Sequence, residues 1–328
     1  MIFNKGQVLL IVMFIPLFLM GQDHSFSQFY ASPMYLNPSM AGNTACARLA
    51  LNYRNQWPTI PQAYNTYQLT YDQSLPAISS GYGVSVYTDQ QADNAFSITS
   101  LSGAYSYQVQ LSQKMVMSAG LQASYTQNRL DWNNLVFADQ IALDGSVSNS
   151  TLETPPENND VAYVDFSTGL TFDWDGKYYG GLAVHHMNEP VNSFYADENA
   201  FLPMKISVHG GMAFEIEPAI HNKKTTTISP NLLYQQQGKF HQLNLGLYVH
   251  IRPFVFGTWF RHNFENPDAA IVLLGLQHND LKIGYSYDYS LSDLGSFSGG
   301  AHEVSLSWNF CIYVEKNRKV RAIKCPEF

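Results

Sequence analysis

From Val304 to Val314 the chain alternates apolar and polar residues without a break. Val304, Leu306, Trp308, Phe310, Ile312 and Val314 stand against Ser305, Ser307, Asn309, Cys311 and Tyr313. A period of two puts every oily side chain on one face of a β-strand and every polar one on the other. The pattern returns along the chain. Met115, Met117, Ala119, Leu121, Ala123 and Tyr125 alternate with Ser118, Gly120, Gln122, Ser124 and Thr126. About fourteen runs read as strands: 45–56, 64–74, 81–89, 95–107, 115–128, 161–174, 177–187, 204–217, 225–236, 240–251, 254–262, 269–278, 281–289 and the last one. Two of them, 95–107 and 225–236, alternate poorly, and Pro230 intrudes in the second.

Whether such strands form a soluble sandwich or a membrane barrel is a question of composition. Charged residues are 13% of the chain, about half the usual share of roughly 25%. Aromatics are 14%, yet mean hydropathy is -0.17. Few charges, many rings and middling hydropathy suit an antiparallel transmembrane β-barrel with a greasy outside and a polar lumen. A soluble all-β sandwich is the competing arrangement. The net charge of -8 argues against nucleic-acid binding, which wants a basic surface. Lys5, the apolar run 8–19 and Met20-Gly21-Gln22 have the layout of a signal peptide over 1–21. That run is too short to cross a bilayer comfortably, and no later one is longer, so a membrane role must use strands.

The connections give a second line of argument. The longest gaps, 129–160, 188–203 and 290–301, all follow odd-numbered strands, whereas Asp175-Gly176, Arg252-Pro253 and Asn279-Asp280 are tight turns after even-numbered ones. Bacterial barrels have short periplasmic turns and long external loops, so this order places both termini in the periplasm. Closure requires the first and last strands to pair antiparallel. Arg54 with Glu303, and Cys46 with Cys311, fit one register across that seam. Arg54 and Glu303 are therefore expected within about two strand spacings, roughly 10 Å. The three cysteines allow one pair and a free thiol, with Cys46–Cys311 and Cys46–Cys325 as rival bridges.

No catalytic motif stands out. His185 and His186 are neighbours on a strand, so their rings point to opposite faces and cannot share a metal. Ser305, Ser307 and His302 lie on one strand with nothing to orient a base, which argues against a barrel lipase. Gly180-Gly181 and Gly210-Gly211 sit inside strands, where close packing explains them better than a phosphate loop. No cofactor or metal is implied. The stretch 22–44 differs from the rest: it is aromatic, lacks alternation and contains Pro33 and Pro38. Its apolar side chains must be buried, at the periplasmic mouth of the barrel or in its lumen. The chain thus divides into 1–21, an N-terminal segment 22–44, a barrel 45–315 and a basic C-terminal tail 316–328, either solvated or a docking tail.

These stretches also carry a family resemblance. His24-Ser25-Phe26-Ser27-Gln28-Phe29-Tyr30, Tyr35-Leu36-Asn37-Pro38, Ala41-Gly42 and Asn52-Tyr53-Arg54-Asn55-Gln56-Trp57-Pro58 resemble the opening of PorP/SprF proteins. Tyr285-Ser286-Tyr287-Asp288, Gly300-Ala301-His302-Glu303-Val304-Ser305-Leu306 and Cys325-Pro326 before Phe328 resemble their end. Asp23 stands where the family often has Pro, and Ala301 where it often has Ser. The resemblance implies an outer-membrane barrel of the type IX secretion and gliding apparatus of Bacteroidetes. Its partners would be type IX secretion components or a large secreted surface adhesin, together with outer-membrane lipid. The implied role is non-enzymatic, anchoring or helping to export a partner protein. A diffusion pore or small-molecule transporter is the alternative. Phe26, Gln28, Phe29, Asn37, Pro38, Arg54, Asn55, Trp57, His302 and Glu303 are the candidate partner-binding or structural residues.

Overall fold

The computed structural model describes residues 23–44, 47–60, 64–142, 144–148, 150–195, 200–216, 226–291 and 298–311. Fourteen antiparallel strands form one sheet: β1 (Ala47–Gln56), β2 (Tyr64–Leu75), β3 (Ser80–Gln91), β4 (Phe96–Gln110), β5 (Met115–Leu130), β6 (Asp160–Trp174), β7 (Tyr178–His185), β8 (Lys205–Met212 continued by Phe214–Ile216), β9 (Thr226–Gln237), β10 (Phe240–Ile251), β11 (Phe254–His262), β12 (Pro267–His278), β13 (Leu281–Ser290) and β14 (Ala301–Phe310). Each strand pairs with its sequence neighbours, and β14 pairs with β1, so the sheet has no free edge. The two pieces of β8 keep one register against β9. The interruption at Ala213 falls beside Pro230, which has no N–H to give to a ladder.

The seam has the expected register: Arg54 lies opposite Glu303, and Ala47 opposite Phe310. The alternation of β14 has the predicted sense. Val304, Leu306 and Trp308 are 43%, 36% and 50% exposed on the outside, whereas Glu303, Ser305 and Ser307 are 0%, 4% and 8% exposed inside. A sandwich would bury the first set. Here Leu121, Phe166, Leu170 and Trp174 also face outward, a contiguous apolar band that is stable against hydrocarbon and not against water. The regular strand ends at Phe310, and 312–314 lie outside the described residues. Cys311 is disulfide-bonded; Cys46 and Cys325, the other cysteines of the two expected bridges, lie outside the described residues. No described helix is long and apolar enough to cross a membrane.

The barrel has two unlike ends. At one, hairpins are tight: Asp175 and Gly176 take φ of 61° and 66°, the left-handed pair that an Asp-Gly turn supplies. At the other, 131–159 and 186–204 make long connections. The first of these carries two short turns, Trp132–Asn134 and Ala138–Gln140.

Candidate functional site: a lumen filled by the N-terminal segment

Residues 23–44 lie inside the barrel and are almost wholly buried. The segment folds into three single turns, Phe29–Ala31, Pro33–Leu36 and Pro38–Met40. Pro33 and Pro38 open the second and third turns, where a missing N–H costs nothing. Asn37 caps the third: its Oδ1 accepts from Ser39 N at 3.0 Å and Ser39 Oγ at 2.7 Å. Beside the tight-turn end the segment meets the wall at Gly42, whose φ is +64°. A Cβ there would stand 2.4 Å from Gln73 O and 2.6 Å from Gly81 Cα, so only glycine fits. From there the segment extends along the lumen to Asp23, beside the long-connection ends of β7, β8 and β9.

A backbone without strand partners must find others when buried, and here the barrel wall supplies them. Ser118 Oγ donates to Ser39 O at 2.8 Å, Ser106 Oγ to Ala41 O at 2.6 Å, and Gly42 N to Asp72 Oδ2 at 2.9 Å. Asn37 Nδ2 reaches Leu170 O and Leu182 O at 3.1 and 3.2 Å. Arg48 holds Asp72 from β1 through two bonds of 2.8 Å.

The strongest attachment is a buried charge cluster at the seam. Glu303 takes the backbone N–H of Ser27 at 2.7 Å on one carboxylate oxygen and that of Gln28 at 2.9 Å on the other. Arg54 pairs with Glu303 at 3.1 Å and with Asp288 at 3.0 Å. Arg261 adds a second cation to Asp288 at 3.1 Å. Ser27 Oγ donates to Asp288 at 2.6 Å and accepts from Arg54 at 2.6 Å. Gln28 Nε2 donates to Ser286 Oγ and to Glu303 O, and its Oε1 accepts from Ser305. Two guanidinium groups thus face the two buried carboxylates, Arg261 being shared with Asp268 nearer the surface, and the segment ties the buried groups together. Buried charges persist only in such paired, hydrogen-bonded sets.

Two further contacts hold the segment. Phe29 and Tyr30 enter an apolar pocket of the wall made by Tyr179, Leu233, Tyr248, Val255, Trp259, Ile271 and Leu273. Phe29 meets Trp259 edge to face at 4.7 Å. At the far end Asp23 binds His186 Nε2 at 2.9 Å and Lys205 Nζ at 3.2 Å, and Asp165 holds the other nitrogen of His186 at 2.9 Å. Burial opposes charge on Asp23, but His186 and Lys205 outweigh it and keep its carboxyl well below the ordinary range. Burial likewise opposes charge on His186, and Asp23 with Asp165 overcomes it, lifting its pKa to about 9.

Of the residues singled out in the sequence, the structure brings seven into the lumen: Phe26, Gln28, Phe29, Asn37, Pro38, Arg54 and Glu303. Trp57 sits at the rim against Tyr64, and its backbone N–H donates to Gly300 O at 2.7 Å. Asn55 and His302 are cross-strand partners on the outer face; Asn55 bonds Asn65, and the His302 ring meets Tyr285 OH at 2.8 Å. Sequence reasoning missed Ser27, Asp72, Asp165, Lys205, Arg261 and Asp288, and it misplaced His186: β7 ends at His185 and His186 takes φ of 56°, so both rings face the lumen, on Ser167 and Asp165, and not opposite faces as expected. A usable signal was present: most of those missed are charged residues at inward positions of strands, where a charge needs a partner. The glycine pairs mark close packing, as expected; a Cβ on Gly181 would meet His209 Nε2 at 2.4 Å. The seam expectation is met at 3.1 Å, well inside two strand spacings.

The fold resembles solved outer-membrane channels. The toluene transporter TbuX of Ralstonia pickettii matches with a TM-score of 0.50 and 9% identity over 85% of this chain and 94% of that one. The P. putida toluene transporter TodX matches with a TM-score of 0.49 and 10% identity over 84% and 93%. At such identities the likeness is one of fold alone. Among curated proteins no sequence matches. The family model described as type IX secretion system membrane protein PorP/SprF matches residues 19–308. Nearly the whole of the plugged barrel falls within that match, and the chain belongs to the PorP/SprF family.

Proposed function

We propose that this protein is a non-enzymatic scaffold of the outer membrane that anchors, or helps to export, a partner protein during type IX secretion. The carrying observation is the filled lumen. A diffusion pore needs a continuous water path, whereas here residues 23–44 are bonded to strands around the barrel and span it from one end to the other. The long connections 131–159 and 186–204 are then the surface on which a partner docks, facing outward, with the tight turns in the periplasm. In this orientation Asp23 lies at the outer end, and the expected periplasmic placement is kept for the first barrel strand and not for the start of the plug. A secreted adhesin is one such partner. Hydrolysis finds no support at the serines of β14. Ser305 Oγ is committed to Gln28, and the His302 ring lies on the other face, engaged by Tyr285.

Deleting the gene and comparing surface proteins by quantitative mass spectrometry tests this reading. Loss of one or a few secreted proteins is the expected result and marks cargo attachment; loss of all type IX cargo marks a part of the core machine. An unchanged surface, with altered uptake of a small solute, overturns it.

A further inference from the structure

A cavity of about 520 Å³ lies between the plug and the long-connection end of the barrel, where Trp57, Phe96, Asn192 and Leu202 contribute to its lining. Most charges around it are matched. Asp23 and Asp165 hold His186, Asp23 holds Lys205, and Arg54 is bound to Asp288 and Glu303. Asp89, on β3, departs from that pattern. It lines the same cavity and is 3% exposed. Thr66 and Gln91 donate to it at 2.5 and 2.8 Å, but no cation among the described residues pairs with it. His24 of the plug does not supply the charge: burial lowers its pKa to about 4 against the pull of Asp89. A carboxylate offers about four acceptor sites, and two donors leave room for more. A buried charge without an opposite one is costly, and a cation from outside the chain would relieve it.

The connections at this end add an independent observation. Asp131, Asp139, Asp144, Glu153 and Glu157 lie in 131–159, and Glu189, Asp197 and Glu198 in 186–204; neither connection has a Lys or Arg. Among these acids large apolar side chains are held outward. Ile141 and Val147, joined by an antiparallel bridge, are 54% and 55% exposed. Leu152, whose N–H donates to Asp139 at 2.6 Å, is 92% exposed. Exposed apolar side chains fixed by their backbone mark a contact surface, and the surrounding acids select a cationic partner. Building on the docking role above, we propose that the partner protein presents a basic segment with apolar residues to this end, and that one of its Lys or Arg side chains enters the cavity and pairs with Asp89.

The test complements the deletion strain with variants and measures the surface proteins that the deletion removes. Wild type restores them. Asp89→Asn is expected to restore about ten-fold less, with heat-dependent gel mobility confirming a folded barrel. A protein carrying Asp139→Asn, Asp144→Asn, Glu153→Gln and Glu157→Gln together should fall short likewise, and Asp175→Asn, at a tight turn, should restore them in full. Asp89→Asn removes a buried charge that has no counter-ion, so the purified variant should melt at or above the wild-type temperature. In living cells a benzophenone amino acid in place of Phe96 should crosslink to a Lys- or Arg-bearing segment of a protein that the deletion removes. Full restoration by a folded Asp89→Asn protein, a lower melting temperature for it, or a crosslinked segment without Lys or Arg overturns the proposal while the docking role stands. A deletion that leaves the surface unchanged overturns the docking role itself.

Discussion

Arg54 illustrates how a barrel keeps a charge in its interior. Its guanidinium is 3% exposed and bridges two carboxylates that come from different strands. Replacing it with Ala leaves Asp288 and Glu303 with Arg261 as their one remaining cation. A loss of about 3–5 kcal/mol is expected, as for breaking other buried pairs. Unfolding followed by heat-dependent gel mobility reads this loss; Arg54→Lys keeps the charge but not the fork, and should lose less. The Arg54–Glu303 contact was legible in the sequence because closure fixes one register. Asp288 and Arg261 were not, because no rule of spacing says which inward charges meet. Asp23, noted in the sequence only as a departure from a common proline, anchors the far end of the plug. Its partner His186 has a folded pKa of about 9 against 6.5 for the free ring. A raised pKa means that the stabilisation is complete below about pH 6.5 and disappears as pH climbs through about 9. Wild type and His186→Gln should therefore differ most in thermal stability near pH 6 and converge by about pH 10.

At the scale of elements, the strands were readable; the segment 22–44 was legible as one to be buried at the periplasmic mouth or in the lumen, but its path was not. Period two identifies a strand wherever one face is greasy, and observed ends differ from the expected ones by only a few residues. The exceptions have local causes: Pro230 marks the break in β8, and the last strand stops at Phe310. The plug has no period, since its contacts are set one residue at a time by a wall on every side. Wall glycines record its path. A Cβ on Gly169 would fall 1.9 Å from Asn37 Oδ1. Gly169→Ala is expected to push the third turn off the wall and cost about 1–3 kcal/mol. Gly103→Ala, where nothing lies within 4 Å of the added carbon, should stay within about 0.5 kcal/mol of wild type. Parallel melts of the two purified variants check the contrast.

For the whole molecule the expected behaviour in a planar bilayer is silence. Steady conductance of the purified wild-type protein would contradict the scaffold reading. The seam cluster has a further consequence, which concerns the order of events in assembly. Glu303 belongs to the last strand to emerge, Arg54 to the first, and Ser27 and Gln28 precede both. Zipping the final hairpin onto the first strand brings Glu303 to two amides that must already be in place. A cylinder that sealed while empty would trap carboxylates lacking half their partners. Capture of the leader and sealing of the wall are therefore one event, and an incompletely threaded chain is held open at its own join.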